Sequence, residues 1–415
     1  MSKKTGWLLL TVAVFAVLAY TIQRDRRYEE NLSSDLRNRV VGARLIKDGR
    51  SPYYYRWAPG DPIRYYNPFD FNFFKMSAVT ASPFFHHLLS PLADWPQARI
   101  SPLWLGIEYI LFISAWIMHV HAGQLYICMP FGAMLFLFCF RNDRHIGFAF
   151  ASGTCAAFLV LIRVNMILFF IPFLFLVRFY TRRRILAFFL PVVLLTAWTL
   201  GNSHERRLWQ DYRSQVSDWI EMCRGGQTLG LYQLNSGDPH YETWEGLHTR
   251  EGVPLPPTLD TFYSENGSVF RLAKSAFHHQ IPLAALAIAA TGIIIVSICI
   301  FYFLNRPLQQ EDIDRIAILG FCLYMLSDLF SPIHRYQYYT VQWIFPLLLA
   351  ASSFQPRRKV LYGLLVTGLL LNCMYLHFFK MENTLGEYLM MAVLLVLSTF
   401  PDRFFPRKST AASLS

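Results

Sequence analysis

Long apolar stretches recur along almost the whole chain, and they restrict its fold more than any other feature of the sequence. Several approach the ~20 residues that a helix needs to cross a bilayer, and others are shorter. Lipid offers no hydrogen-bonding partners, so a crossing backbone must pair its own polar groups within a helix. Each stretch is therefore expected to be helical. The stretches are residues 6–22, 103–118, 125–140, 146–162, 166–177, 185–200, 281–304, 316–326, 341–354, 360–376 and 388–400.

The composition supports the same interpretation. Hydrophobic residues make up 54% of the 415 residues and charged residues only 16%, whereas a soluble domain carries about 25% charged residues. The sequence predicts an all-α polytopic integral membrane protein with about 10–12 transmembrane helices. Residues 6–22 are expected to form an uncleaved first helix, because no small-residue cleavage site follows them. The shorter stretches are expected to be tilted, broken or completed by neighbouring helices.

The basic residues gather in short connections between the apolar stretches rather than in one stripe. This distribution argues against nucleic-acid binding despite a net charge of +11. It is typical instead of the connections that a membrane protein keeps on the cytoplasmic side. The connections assigned to this inner side are residues 141–145, 178–184, 305–315 and 355–359.

Two long polar segments then fall on the outer side, with residues 23–101 as the first extracytoplasmic loop and residues 201–280 as the second. The shorter outer connections are those around Arg163 and at residues 331–339 and 380–387. The protein is therefore expected to be a multi-pass protein of the cell inner (plasma) membrane. If residues 141–145 lie on the inner side, the chain must cross the membrane once more before residue 141 than its apolar stretches allow. Residues 71–89 are the uncertain segment in this part, and they are a candidate re-entrant or interfacial helix.

Asp35 begins a polar segment in which Leu36, Val40, Ala43 and Ile46 recur at helical spacing. One interpretation is structural: Ser33, Ser34 or Asp35 caps a helix that lies on the membrane surface. The other is catalytic, because a carboxylate at the membrane–water interface can serve as a general base.

Arg163 lies between two apolar stretches, with Asn165 two residues further on. A charge at membrane depth costs several kcal/mol unless it faces a partner or a cavity, so it points to a functional site. The alternative is an arginine whose head reaches the interface while its stem lies in lipid.

Residues 326–343 place Asp328, His334, Arg335 and Gln337 between two apolar stretches. Pro332 is expected to end the first helix, and His334 and Gln337 share a face if a helix resumes. Histidine and arginine beside tyrosines suit an anionic phosphate and a sugar ring. The alternative is an aromatic belt with ordinary interfacial cations.

The remaining polar features carry less information. Gln124, beside Gly123, suits helix packing. Residues 202–222 predict a charged amphipathic surface helix, with Trp209, Val216 and Ile220 as its membrane-facing edge. No zinc-type Cys/His spacing occurs in the sequence. The acidic pair Asp312 and Asp314 is best explained as part of a solvated inner loop, so no metal site is expected.

Read in order, these pieces resemble the GT-C glycosyltransferases, specifically the polyprenol-phosphate-dependent mannosyl- and arabinosyltransferases of glycosyltransferase family 87. The resemblance extends from residue 6 to about residue 356. The matching elements are Asp35, Val40-Val41-Gly42-Ala43, Gly49, Pro52-Tyr53, Tyr66-Asn67-Pro68, SPLADWP at 90–96, Gly123-Gln124, residues 147–172 with Arg163 where the family often has lysine, and Ser331-Pro332.

The sequence departs from the family pattern at two places. The family histidine after Ser-Pro corresponds to Gln337, and a histidine stands three residues earlier at His334. The stretch between Trp104 and Gly123 is shorter than in the family.

The resemblance implies a single GT-C-like transmembrane domain over residues 1–407, with interfacial helices in both outer loops and a disordered tail at 408–415. It also implies an inverting transfer of a mannose-like or arabinofuranose-like sugar from a polyprenyl-phosphate donor to a lipid or glycan acceptor, on the extracytoplasmic face. Asp35 is then the catalytic base. The residues expected to bind the donor phosphate and sugar are Arg163, His334, Arg335, Gln337, Asn165, Gln124 and Tyr66.

Such enzymes need neither a metal nor another cofactor, and their partners are the lipid-linked donor, the acceptor and membrane lipids. A transporter or flippase of lipid-linked glycans is the alternative, although a carrier is expected to show mid-membrane polar sites and paired repeats. A membrane scaffold is a third possibility, and it gives no reason for an arginine at position 163.

Overall fold

The computed structural model describes residues 34–55, 57, 60–65, 79, 81–96, 99–100, 103–104, 126, 128–142, 145–223, 268–270, 272–273, 281–306, 308, 312–332, 337–353, 355, 358–373 and 382–401. This part of the chain is helical and contains no β-strand. Its contacts divide the chain into an N-terminal unit (Met1–Ile127 with Tyr232–Val253) and a C-terminal unit (Cys128–Leu231 with Pro254–Ser415). The expected single domain over residues 1–407 stays a prediction.

The N-terminal unit is built on helix α1 (Ser34–Lys47), which packs against helix α2 (Pro83–Leu89). The 3₁₀ turns Ile63–Tyr65 and Ser90–Leu92 pack against α1 as well. The apolar residues that repeat at helical spacing in α1 are all buried, which confirms the predicted amphipathic helix; they are Leu36, Val40, Ala43 and Ile46.

The C-terminal unit is a bundle of helices of different lengths. They are α3 (Cys128–Arg141), α4 (Ile146–Ile162), α5 (Ile167–Phe170), α6 (Arg182–Gly201), α7 (Ser203–Cys223), α8 (Leu283–Leu304), α9 (Ile313–Leu329), α10 (Ile344–Ser352), α11 (Lys359–Cys373) and α12 (Glu382–Thr399). Helix α9 is buried along almost its whole length and contacts α5, α10 and α12. It forms the centre of the unit.

Two of the described helices, α6 and α8, are long and apolar enough to cross a membrane. Only 11% of the apolar span in α6 and 6% of that in α8 is buried inside the protein. A helix of this kind in the core of a soluble protein would be covered by other side chains. The outward apolar faces of α6 and α8 therefore favour a lipid environment.

Two of the shorter apolar segments are broken, as the sequence predicts for stretches of this length. Helix α5 is flanked by the 3₁₀ segments Val164–Met166 and Ile171–Phe179, and the 3₁₀ segment Gln337–Trp343 leads into α10. A 3₁₀ helix rises ~2.0 Å per residue against ~1.5 Å in an α-helix. The rises of residues 164–179 along their helical axes therefore add up to about 30 Å, which is comparable to the hydrocarbon thickness of a bilayer.

Contacts at one end of the C-terminal unit join connections that the sequence assigns to the inner side. Arg141 forms an ion pair with Asp314. Arg358 donates hydrogen bonds to the carbonyl oxygens of Leu397 and Phe400, both at 2.8 Å. The first contact joins the end of α3 to the start of α9, and the others join the start of α11 to the end of α12.

Contacts at the other end involve one residue from each of two connections that the sequence assigns to the outer side, Glu387 and Arg163. Trp343 Nε1 donates a hydrogen bond to Glu387 at the start of α12. Arg163, directly after α4, contacts Asp328 in the last turn of α9. The assignment of these helix ends to the outer side stays a prediction.

Helix α7 differs from its prediction. It does form over the expected residues, and Trp209, Val216 and Ile220 are only half-buried. Its buried face is instead mainly polar, with Glu205, Asp211, Gln215 and Asp218 beside the apolar residue Leu208. The helix is amphipathic as expected, but the protein covers its acidic side.

Candidate functional site

The candidate site starts where helix α4 ends. The N–H of Arg163 still bonds the carbonyl oxygen of Leu159 at 2.9 Å. The backbone of Arg163 is nevertheless extended, with φ −145° and ψ 102°, and the 3₁₀ turn Val164–Met166 follows at once. This break turns Arg163 and Asn165 away from the helix axis, so that both side chains reach α9.

The partner on α9 is Asp328, in the last turn of that helix. The helix ends at Leu329, and Pro332 lies three residues beyond, so the predicted break is confirmed. The side chain of Asp328 is 7% exposed and that of Arg163 is 22% exposed. The acid is therefore the more deeply buried member of the pair.

Three side chains close a ring of hydrogen bonds at this point. Arg163 donates from Nη2 to Asp328 Oδ2 at 2.6 Å and from Nε to Asn165 Oδ1 at 3.2 Å. Asn165 Nδ2 in turn donates to Asp328 Oδ1 at 2.7 Å and to Ser327 Oγ at 2.9 Å. Both carboxylate oxygens are thus satisfied, which is what a charge of this burial requires.

Two tyrosine rings flank the guanidinium group. The Cζ atom of Arg163 lies 5.6 Å from the ring centroid of Tyr324 and 5.6 Å from that of Tyr339, within the range of a cation–π contact. The hydroxyl of Tyr324 donates to Gln342 Oε1, and Gln342 Nε2 donates to the carbonyl oxygen of Tyr339 at 3.1 Å. Gln342 therefore links the side chain of Tyr324 to the backbone of Tyr339.

The arrangement combines a held cation, two hydrogen-bonding amides and two aromatic faces. A guanidinium with fixed orientation is a suitable donor for the oxygens of a phosphate. Aromatic faces beside it suit the apolar face of a sugar. The same cluster without a ligand is electrically neutral, because Asp328 balances Arg163.

Helix α1 carries the other predicted site residue, Asp35, as its second residue. The side chain of Asp35 lies outside the part of the chain that the structure describes. The helix dipole favours a carboxylate in the first turn, whether Asp35 caps the helix or acts as a general base. Its catalytic role stays a prediction.

Buried side chains connect α1 to the segments around it. The Arg44 side chain is buried and donates to three carbonyl oxygens, those of Ala93 at 2.7 Å, Arg64 at 2.8 Å and Trp95 at 2.9 Å. Tyr54 is also buried and has a left-handed backbone with φ 62°, which is strained for an aromatic residue.

The structure brings two predicted site residues together, Arg163 and Asn165. Gln337 opens the 3₁₀ segment before α10, but its side chain is outside the described residues. The remaining predicted residues, Tyr66, Gln124, His334 and Arg335, also lie outside them. Within the described ranges, no three His, Cys, Asp or Glu side chains are grouped to hold a metal ion.

Asp328 belongs to the polar group at residues 326–343 but is not among the residues predicted to bind the donor. A signal was present, because an acid at the end of a long apolar helix needs a partner of opposite charge. The acidic pair at the other end of α9 also differs from expectation. Asp314 lies in the first turn of the helix and pairs with Arg141, and Asp312 Oδ1 is 3.3 Å from Arg315 Nη1.

Comparison with known proteins gives no relative of this chain: no protein-family model, curated protein or solved structure matches it. Its function is therefore argued from its own residues.

Proposed function

We propose that this protein is a multi-pass membrane glycosyltransferase with a GT-C-like fold. It moves a mannose-like or arabinofuranose-like sugar from a polyprenyl-phosphate donor to a lipid or glycan acceptor on the extracytoplasmic face. The observation that carries the proposal is the ring of Arg163, Asn165 and Asp328, flanked by Tyr324 and Tyr339. It supplies a positioned cation with aromatic faces at the ends of two apolar helices.

The multi-pass topology has two supports in the C-terminal unit. Helices α6 and α8 present apolar surface that neighbouring helices leave uncovered. The contact of Arg141 with Asp314 also joins two connections that the distribution of basic residues assigns to the inner side. The Arg163 cluster is at the end assigned to the outer side.

The chemistry explains the need for a cation at this place. When a sugar leaves its lipid phosphate, negative charge returns to the phosphate oxygens, and donors aimed at those oxygens stabilise the transition state. Arg163 and Asn165 are such donors. His334, Arg335, Gln337, Gln124 and Tyr66 complete the proposed donor site.

Asp35 is the proposed general base. It accepts the proton of the acceptor hydroxyl while that oxygen attacks the anomeric carbon from the face opposite the phosphate, and the configuration inverts. A general base contributes about 10²–10⁴ in rate. The reaction as proposed uses neither a metal nor a cofactor.

The test uses the full chain in lipid nanodiscs with radiolabelled polyprenyl-phosphate mannose or polyprenyl-phosphate arabinofuranose and a lipid acceptor extract. Transfer of label to the acceptor is expected for one donor. Asp35→Asn is expected to lower the rate by about 10² or more, and Arg163→Gln is expected to lower it as well. Lys47→Gln, at an exposed position on α1, is the matched control and should leave the rate unchanged.

Two outcomes would contradict parts of the proposal. Full activity of a folded Asp35→Asn variant removes Asp35 as the base. Absence of transfer from either donor, combined with passage of the intact donor across a vesicle bilayer, makes the protein a transporter. An Arg–Asp pair at membrane depth is also typical of transport proteins, so this second function is the one to measure alongside.

A further inference from the structure

The two hydrogen-bond donors beside the Asp328 carboxylate are placed to bind an anion that has two adjacent oxygens. One carboxylate oxygen accepts a hydrogen bond from Arg163 Nη2 at 2.6 Å, and the other accepts one from Asn165 Nδ2 at 2.7 Å. Both donors belong to the short segment after α4, whereas the acceptor belongs to α9. A phosphate offers two oxygens in a similar arrangement and can engage the same two donors.

The donors keep their positions without relying on Asp328 alone. Asn165 Nδ2 also donates to Ser327 Oγ at 2.9 Å, and Ser327 Oγ donates to the carbonyl oxygen of Tyr324 at 2.7 Å. Arg163 Nε bonds Asn165 Oδ1 at 3.2 Å. A displaced Asp328 would therefore leave an arranged pair of donors behind.

The position of Asp328 also limits how firmly it is held. An acid in the last turn of a helix faces the negative end of the helix dipole, which disfavours it by about 0.3–1 kcal/mol. The helix stops one residue later, at Leu329, and Pro332 prevents its continuation.

We propose that Asp328 is a positioning residue that holds the anion site in the absence of ligand and is displaced by the phosphate group of a prenyl phosphate. This inference rests on the proposed function, because it names how the donor phosphate enters the same site. The acid keeps Arg163 oriented and neutralised until an anion replaces it. It also lowers the apparent affinity for phosphate, since ligand and Asp328 compete for the same donors.

The experiment measures binding without turnover. Farnesyl phosphate is titrated into the full chain in detergent by isothermal titration calorimetry, with inorganic phosphate as a second probe. Asp328→Asn removes the competing charge and is expected to tighten farnesyl phosphate binding about tenfold. Arg163→Gln is expected to abolish binding. Inorganic phosphate should show the same gain at lower affinity, whereas a gain for inorganic phosphate alone would identify free phosphate as the ligand and would overturn the proposal.

The matched control is the second Arg–Asp pair on the same helix. Asp314→Asn breaks the pair with Arg141 at the opposite end of α9 and should leave farnesyl phosphate binding within about twofold of wild type. Unchanged or weaker binding by Asp328→Asn would overturn the proposal. So would an equal gain in Asp314→Asn, because it would reflect a general loss of negative charge.

A charge exchange covers the case in which Asp328→Asn does not fold. The double variant Arg163→Asp with Asp328→Arg restores the ion pair but moves the cation to the more buried position on α9. It is expected to recover thermal stability without recovering farnesyl phosphate binding. Recovery of both would overturn the proposal. Because turnover is not measured, a gain in Asp328→Asn together with failed sugar transfer rejects the enzymatic function and retains this inference.

Discussion

Gly320 of α9 lies against the backbone of Phe169 in α5, so closely that a Cβ atom at position 320 would overlap the Phe169 carbonyl oxygen. The contact sets the distance between the central helix and the segment that follows Arg163. Asp328 lies about two helical turns further along α9. The absence of a side chain at position 320 therefore helps to bring Asp328 within reach of Arg163.

Gly320→Ala is expected to destabilise the C-terminal unit by about 1–3 kcal/mol, because the obstructing atom belongs to the backbone and cannot rotate away. The measurement is thermal unfolding in detergent. Gly363→Ala is the matched control: Gly363 lies within α11, where an added Cβ meets no atom within 4 Å. It should be neutral or slightly stabilising, and an equal loss in both variants would contradict the explanation.

Arg44→Lys is expected to destabilise the N-terminal unit by about 3 kcal/mol, because a lysine cannot reach all three carbonyl oxygens that the buried guanidinium joins. Lys47→Ala is the comparison, since Lys47 lies on α1 like Arg44 but makes an exposed contact, with Asp94. No measurable change is expected there. Limited proteolysis of the two variants, read at peptides from α1 and α2, distinguishes them; similar protection in both would refute the role of Arg44.

The stability of the N-terminal unit is expected to fall below pH 6.5 because of His86. Burial lowers the pKa of His86 to about 3, and the nearby charges of Arg39 and His87 add to the effect, while a hydrogen bond to the Arg39 carbonyl opposes it. The unfolded chain, with an ordinary pKa of ~6.5, therefore binds a proton that the folded unit excludes. The stability contribution is complete above pH 6.5 and decreases as the pH drops toward 3.

At pH 5 the expected loss is about 2 kcal/mol relative to pH 8. Unfolding temperatures at the two pH values, measured for wild type and His86→Phe, give the contribution of this residue by difference. Carboxylates elsewhere titrate equally in both proteins. The same pH dependence in the variant would show that His86 does not titrate on unfolding.

Gly42→Ala is expected to destabilise the N-terminal unit by about 1–3 kcal/mol, because the new Cβ would lie 2.7 Å from Nδ1 of the fully buried His86 ring. The double variant with His86→Ala removes the obstruction. The two losses should therefore be less than additive, and a double-mutant cycle by thermal unfolding measures the difference. Strict additivity would mean that the two residues do not meet.

Local periodicity was sufficient to predict α1, since the spacing of Leu36, Val40 and Ala43 reflects burial against neighbouring segments within the same unit. The break at Pro332 was predictable for a similar reason, because proline lacks the N–H that a continuing helix needs. Both features depend on residues a few positions apart, where the sequence determines the geometry directly.

The partner of Arg163 was not predictable in the same way. Asp328 is 165 residues away in the sequence, and only the packing of α9 against α5 brings the two together. The buried acidic face of α7 has the same origin, since periodicity identifies a polar face but not whether protein or solvent covers it. Such features depend on tertiary contacts between distant segments.

The ion pairs of Asp314 and Asp328 fasten α9 at both of its ends, to Arg141 on one side and Arg163 on the other. A shift of this helix along its own axis would break both pairs at once, and it would leave Asp328, whose side chain is only 7% exposed, as an unpaired buried charge at a cost of several kcal/mol. With both pairs formed, α9 cannot slide along its axis. A phosphate that displaces Asp328 would release this restraint at the Arg163 end alone and leave the Arg141 end attached.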